Sequence, residues 1–160
     1  PKQTYSFGGS FDWKGFDFSF MFQGVAGNYI YNGTKQMAMN GRADMGNLIS
    51  DVYDTWDFNP SGSKYPRLGL VDDNNGNYVK FSDVFLEKGD YLRLKNIELS
   101  YRLPDRWMKR IHLSNARIFI QGVNLLTFSS FKIWDVELGD GRGAKYPNIA
   151  SVSLGINFNF

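Results

Sequence analysis

Residues 149–160, Ile-Ala-Ser-Val-Ser-Leu-Gly-Ile-Asn-Phe-Asn-Phe, constrain the fold more than any other stretch. From Val152 on, every second residue is large and apolar: Val152, Leu154, Ile156, Phe158 and Phe160. Between them lie Ser151, Ser153, Gly155, Asn157 and Asn159, all small or polar. A period of two defines a β-strand with one oily face and one wet face. One such strand suits the edge of a soluble sandwich as well as the wall of a barrel, so the rest of the chain has to separate the two.

The same period opens the chain. In residues 4–13 the odd positions Tyr5, Phe7, Gly9, Phe11 and Trp13 form the apolar set. After Lys14-Gly15 the parity inverts, and Phe16, Phe18, Phe20 and Phe22 alternate with Asp17, Ser19, Met21 and Gln23. A two-residue turn pairs Trp13 with Phe16, Phe11 with Phe18, Gly9 with Phe20 and Phe7 with Phe22, which puts both oily sets on one face. Phe20 then covers the strand glycine opposite it. A flat face of phenylalanines and a tryptophan suits lipid tails and an interfacial girdle better than a close-packed aliphatic core.

Residues 27–89 break the alternation and are too long for an ordinary connection. Within them Leu48, Ile49, Val52, Tyr53 and Trp56 recur at helical spacing, predicting a short amphipathic helix with Tyr53 and Trp56 in the loop's core. Asn59-Pro60-Ser61-Gly62 reads as loop, and Asn75-Gly76 suits a hairpin turn. A third strand spans 91–103, with Ile97, Leu99, Tyr101 and Leu103 on one face, and Pro104 stops it. Residues 105–113 read as a helical turn. There Trp107, Met108 and Ile111 lie among Arg106, Lys109 and Arg110, a mixture that fits a membrane–water interface. A fourth strand covers 115–127, and its faces are not assignable from the pattern. A second long loop, 129–148, precedes the last strand.

Short turns on one side and long loops on the other are how outer-membrane barrels are built. The expected fold is therefore all-β: five antiparallel strands of a transmembrane barrel, with two long extracellular loops and short helical pieces. Five strands leave 4–13 and 149–160 as open edges, which hydrocarbon does not tolerate. The expectation is that strands outside these 160 residues close the barrel. Bulk properties agree. A hydrophobic content of 42% without any apolar run long enough for a membrane helix is what alternating strands require. Aromatics at 17% and 17 glycines suit aromatic girdles. The net charge of +2 argues neither for nor against nucleic acid, and no nucleic-acid partner is expected. Zero cysteines exclude disulfide and thiol chemistry. The sequence opens at Pro1 in mid-pattern, with no basic n-region or apolar h-region, so no signal peptide is expected within these residues.

Ser153, Gly155, Phe158 and Phe160 match polar-x-Gly-x-x-apolar-x-Phe, which resembles the assembly signal of bacterial outer-membrane barrels. Tyr91-Leu92-Arg93-Leu94-Lys95-Asn96-Ile97 followed by Leu99-Ser100-Tyr101-Arg102-Leu103-Pro104 resembles a stretch of the SusC/RagA-like TonB-dependent transporters of Bacteroidetes. So do Tyr65-Pro66-Arg67-Leu68, Gly122-Val123-Asn124-Leu125-Leu126-Thr127 and Trp134-Asp135-Val136-Glu137, in that order. Val136 departs from the proline common at that point in the family. The resemblance implies a large plugged barrel of about 22 strands, of which this chain is the last five. It implies an outer-membrane importer of oligosaccharides or peptides, driven by TonB and working with a SusD-like surface lipoprotein. The plug and the TonB-binding segment are expected upstream. A passive or structural barrel and a soluble carbohydrate-binding β-sandwich are the competing readings.

The candidate sites follow. Trp134, Asp135, Glu137 and Arg142 lie in the second long loop, where an aromatic ring with charged groups suits a glycan or the lipoprotein lid. His112 is the only histidine and has no partners at metal or triad spacing. Asp72 to Asn77 resembles a calcium loop, but Gly76 at the sixth position makes Val71 the first ligand, which fails the pattern. Asp12 and Asp17 face each other across the first hairpin, an arrangement a wet lumen explains without catalysis. No enzyme activity, cofactor or metal is expected.

Overall fold

The computed structural model describes residues 1–39, 47–68, 76–110 and 113–159. Among the described residues there are seven strands: β1 (Gln3–Trp13), β2 (Phe16–Ala26), β3 (Tyr29–Tyr31), β4 (Leu86–Lys88), β5 (Tyr91–Arg102), β6 (Asn115–Ser129) and β7 (Ser151–Asn159). Five form one antiparallel sheet in the order β1-β2-β5-β6-β7. Lys14 and Gly15 both have positive φ, 49° and 87°, which is the backbone a two-residue primed hairpin demands. The first hairpin has the expected register, from Trp13 opposite Phe16 to Phe7 opposite Phe22. Two atoms of the Phe20 ring sit 3.2 and 3.3 Å from where a Cβ on Gly9 would lie, so the ring fills the glycine's gap.

Register carries the oily face across the whole sheet. Phe11, Phe18, Leu99, Ile120 and Leu154 form one row, and Trp13, Phe16, Tyr101, Ile118 and Ile156 form the next. Much of this face is bare, up to 76% exposure at Leu154. Among the described residues the only other sheet is the two-stranded β3–β4. A sandwich would bury this face under a second sheet, so the sandwich reading falls, and lipid is the solvent that fits.

The other face carries Asp12, Asp17, Ser100, Arg102, Glu98 and Arg117. There Ser100 Oγ donates to Asp17 Oδ2 at 3.4 Å, Arg102 lies 4.0 Å from the same carboxylate, and Arg117 pairs with Glu98. Asp12 does stand opposite Asp17.

The faces of β6 resolve around a bulge. Ile118, Ile120 and Gly122 pair with outward residues of β5. Asn124 then adopts a left-handed φ of 54°, and the register with β5 shifts between Leu94 and Asn96. The β2–β5 register shifts at the same level, so the outward set on β5 changes from Ile97, Leu99 and Tyr101 to Leu94 and Leu92. α2 (Asp105–Arg110) follows Pro104, with Met108 buried and Trp107 half exposed.

The described residues between 27 and 90 build one buried cluster of their own and share another with the second loop. α1 (Gly33–Ala38) is capped by the Asn32 side chain, which accepts from the Lys35 N–H at 2.9 Å. Met39, Tyr65, Tyr78 and Phe85 form one buried cluster. The helix expected around residues 48–56 is a five-residue 3₁₀ helix, Ser50–Asp54. Ile49 packs on the cluster, but Tyr53 and Trp56 are 68% and 50% exposed, which corrects the reading of both as loop core. Three residues per turn instead of 3.6 rotates them off the face the α-helical pattern assigned. Tyr53 meets Phe58 edge-on at 5.6 Å, and the Arg67 guanidinium lies 6.0 Å from the Trp56 ring. The three-residue strands β3 and β4 are too short to register as periodicity. Asn75 of the expected hairpin turn lies outside the described residues, while Gly76, at φ 71°, opens a turn closed by hydrogen bonds from Val79 and Lys80.

Candidate functional site

At the loop end of the sheet the bulge turns Arg93 and Lys95 to the polar side. Each meets a carboxylate of the short 3₁₀ helix Val136–Leu138 and its cap. Arg93 Nη2 donates to Asp135 Oδ1 at 2.6 Å, and Nη1 donates to Oδ2 at 3.2 Å, a two-pronged contact. Both side chains are buried, with 4% and 7% of their surfaces exposed. Lys95 Nζ lies 2.8 Å from Glu137 Oε1. Asn148 closes the network: its N–H donates to Asp135 Oδ2 at 2.9 Å, and its Nδ2 donates to Glu137 Oε2 at 2.6 Å. The stretches around 91–97 and 134–137, which the sequence offers as separate motifs, are one unit.

Burial pushes the Asp135 carboxyl up. The Arg93 guanidinium and the N–H groups of Glu137 and Asn148 outweigh it and hold the group below the usual carboxylate range. A second network lies in the first loop. Lys35 Nζ is 3.0 Å from Asp51, 3.0 Å from Glu87 and 3.3 Å from the Tyr65 hydroxyl. Burial opposes the charge on Lys35, but those hydrogen bonds raise its pKa above the ordinary lysine value. For Asp51, burial pushes up while Lys35 and Tyr65 pull down, and the net shift is downward.

The sign of the pH response follows. A carboxylate with a depressed folded-state pKa adds stability that is complete above its unfolded value and lost as pH falls through the folded one. Order in both loops is therefore expected to hold from neutral pH down to about pH 4 and to loosen only below it. Protease sensitivity of residues 27–90 and 130–150, measured between pH 7 and pH 3, checks this. Loosening already between pH 7 and pH 5 would contradict it.

Of the four loop residues singled out, Asp135 and Glu137 come together with Arg93 and Lys95. Trp134 lies within its own loop: its Nε1 donates to the Gly139 carbonyl at 3.2 Å, its ring meets Phe131 edge-on at 4.8 Å, and Gly143 backs it. Arg142 is exposed, and its carbonyl accepts from Thr34 Oγ1 at 3.0 Å. Beside the network an open cleft of about 300 Å³ runs between Thr127, Lys132, Trp134 and Asn148. Sequence reasoning does not single out Arg93, Lys95 or Asn148 as site residues. The one signal for Lys95 is a lysine interrupting the strand's alternation.

On β7, Ser153 and Gly155 face the polar side and Phe158 the apolar side, where it is 52% exposed. The Phe119 ring occupies the space a Cβ on Gly155 would need. Phe160, His112 and residues 72–75 lie outside the described residues.

No family model matches the chain. TonB-dependent receptor P26 of Formosa agariphila is 30% identical over 172 residues, taking in 100% of this chain and 17% of that protein. TonB-dependent receptor SusC of Bacteroides thetaiotaomicron is 26% identical over 150 residues, which is 92% of this chain and 14% of that protein. The structure of the RagAB peptide importer in the closed-closed state matches with a TM-score of 0.78 and 28% identity, over 98% of this chain and 17% of that one. The structure of the RagAB peptide transporter matches with a TM-score of 0.73 and 29% identity, over 97% and 16%. The chain thus spans 14% to 17% of the length of the receptors it matches.

Proposed function

Because the chain is a SusC/RagA-like segment of an outer-membrane TonB-dependent receptor barrel, we propose that the protein it belongs to imports oligosaccharides or peptides together with a SusD-like lipoprotein. The observation that carries this is the match of nearly the whole chain, wall and loops together, to the RagAB peptide importer. We take the segment to be the C-terminal part of the barrel, with the plug and the TonB-contacting region upstream. Ser153, Gly155, Phe158 and Phe160 then serve as the assembly signal.

Residues 27–90 and 130–150 are extracellular in this reading, and Lys14-Gly15 and α2 are periplasmic. The two loops lie where an incoming ligand and a lid meet the barrel mouth, and loops on a rigid scaffold carry function. Arg142, exposed, offers a direct contact. Trp134, Asp135 and Glu137 shape the loop that presents it.

Deleting residues 130–148 in the full-length protein is expected to reduce uptake and lipoprotein co-purification while leaving the barrel in the membrane. Unchanged growth on the cognate nutrient together with unchanged co-purification would overturn the reading.

A further inference from the structure

The two long loops do not stand apart. Tyr31 N donates to Asp140 Oδ1 at 2.7 Å, Gly33 N to the Gly141 carbonyl at 2.8 Å, and Gly141 N to the Tyr31 carbonyl at 3.1 Å. These bonds make a parallel bridge between Asn32 and Gly141. Ile30 of the first loop is fully buried with Phe131 and Val136 of the second, and Tyr91 at the top of the wall packs on the same cluster. The first loop buries a cluster of its own around Met39, Tyr65, Tyr78 and Phe85, but Ile30 is not part of it. The core around Ile30 is divided between the two loops, and separating them exposes it to water. An open cleft of about 310 Å³ lies where they meet, with Asn32, Lys35, Ile49 and Asp51 on one side and Ile133 on the other.

Below that shared core lies the buried Arg93–Asp135 contact. Val136, the second loop's main contribution to the core, is the next residue after Asp135. The same carboxylate also caps the turn that carries Val136 and takes the N–H of Asn148. Arg93 belongs to the rigid wall.

We propose that residues 27–39, 47–68 and 76–90 of the first loop and residues 130–150 of the second act as one collar, and that Arg93 is a positioning residue that sets the collar's pose over the lumen through Asp135. The inference rests on the importer reading only for what the collar frames, a ligand entering the barrel.

Hydrogen–deuterium exchange on the full-length protein in detergent tests it. In Asp135→Asn the amides of Glu137 and Asn148 lose their acceptor charge and are expected to exchange faster. If the collar is one body, the amides of Tyr31 and Gly33 in the other loop accelerate as well, by about tenfold or more. Arg93→Lys, which keeps the charge but loses the fork, is expected to fall between wild type and Asp135→Asn at all four amides. Wild-type rates at Tyr31 and Gly33 beside fast exchange at Glu137 and Asn148 would overturn the proposal.

A second variant covers the case in which Asp135→Asn fails to fold. Tyr31→Cys with Asp140→Cys joins the loops by a disulfide at their junction, where the Tyr31 N–H meets the Asp140 carboxylate. Oxidised and reduced forms are expected to take up the nutrient equally. Uptake lost on oxidation and restored by reduction would mean the loops must part, and the collar falls. If wild type itself imports nothing, the importer reading fails, and the exchange rates still judge the collar.

Discussion

Asp135→Ala is expected to destabilise the loop seat by about 3–5 kcal/mol, because it leaves the Arg93 guanidinium buried with its main partner gone. The size follows from burial: with 4% of its side chain exposed, Arg93 has little water to replace the lost carboxylate. Glu137 Oε2, 3.4 Å from Arg93 Nη1, recovers part of the loss, which places the result nearer the lower end. The same variant deprives the N–H groups of Glu137 and Asn148 of their acceptor. The informative comparison is the double variant Arg93→Met/Asp135→Leu. A buried ion pair replaced by apolar groups of similar volume is often neutral in stability, whereas half a pair is not. The double variant is therefore expected to keep more loop order than Asp135→Ala. Unfolding midpoints of the full-length protein, read by protease cleavage within residues 130–150, make the comparison. A double variant as damaged as the single one would mean that Asp135 matters for its backbone contacts and not for Arg93.

Leu154→Arg should cost about 2–4 kcal/mol of barrel stability, the cost of an arginine facing lipid near mid-bilayer. Leu154 sits mid-strand in β7, between Val152 on the loop side and Ile156 and Phe158 toward the C-terminal end, and it is the barest of its row of Phe11, Phe18, Leu99 and Ile120. Ser153, one residue away, points to the polar side opposite Gln121. Ser153→Arg enters the lumen, where water solvates the guanidinium, and should change stability little. Membrane levels and unfolding of the full-length variants provide the test. Equal effects at the two positions would reverse the assignment of faces.

Adjacent residues set these two faces, and that is why the first hairpin is legible in the amino-acid pattern alone. A two-residue turn together with a parity change at Lys14-Gly15 admits one register in which both oily sets coincide, and that register is present. The all-β fold, the lipid-facing wall and the SusC/RagA-like character are likewise readable from alternation and motif order. β6 is not, because Asn124 bends the strand into a bulge and Phe119 faces inward to cover Gly155, so the pattern carries two exceptions. The first loop misleads because helical spacing in 48–56 is shared by an α-helix and by a 3₁₀ turn that buries only part of it.

The candidate site divides along the same line. The sequence determined by itself that residues 134–142 hold charge and an aromatic ring in a long loop. Only the tertiary structure decided that Asp135 and Glu137 close on Arg93 and Lys95, 42 residues away, and that Asp140 closes on Tyr31, 109 residues away. Strand periodicity is a property of neighbours, and every strand repeats it. Which carboxylate meets which cation depends on where the sheet delivers the two chain segments in space, and nothing in the local pattern encodes that distance.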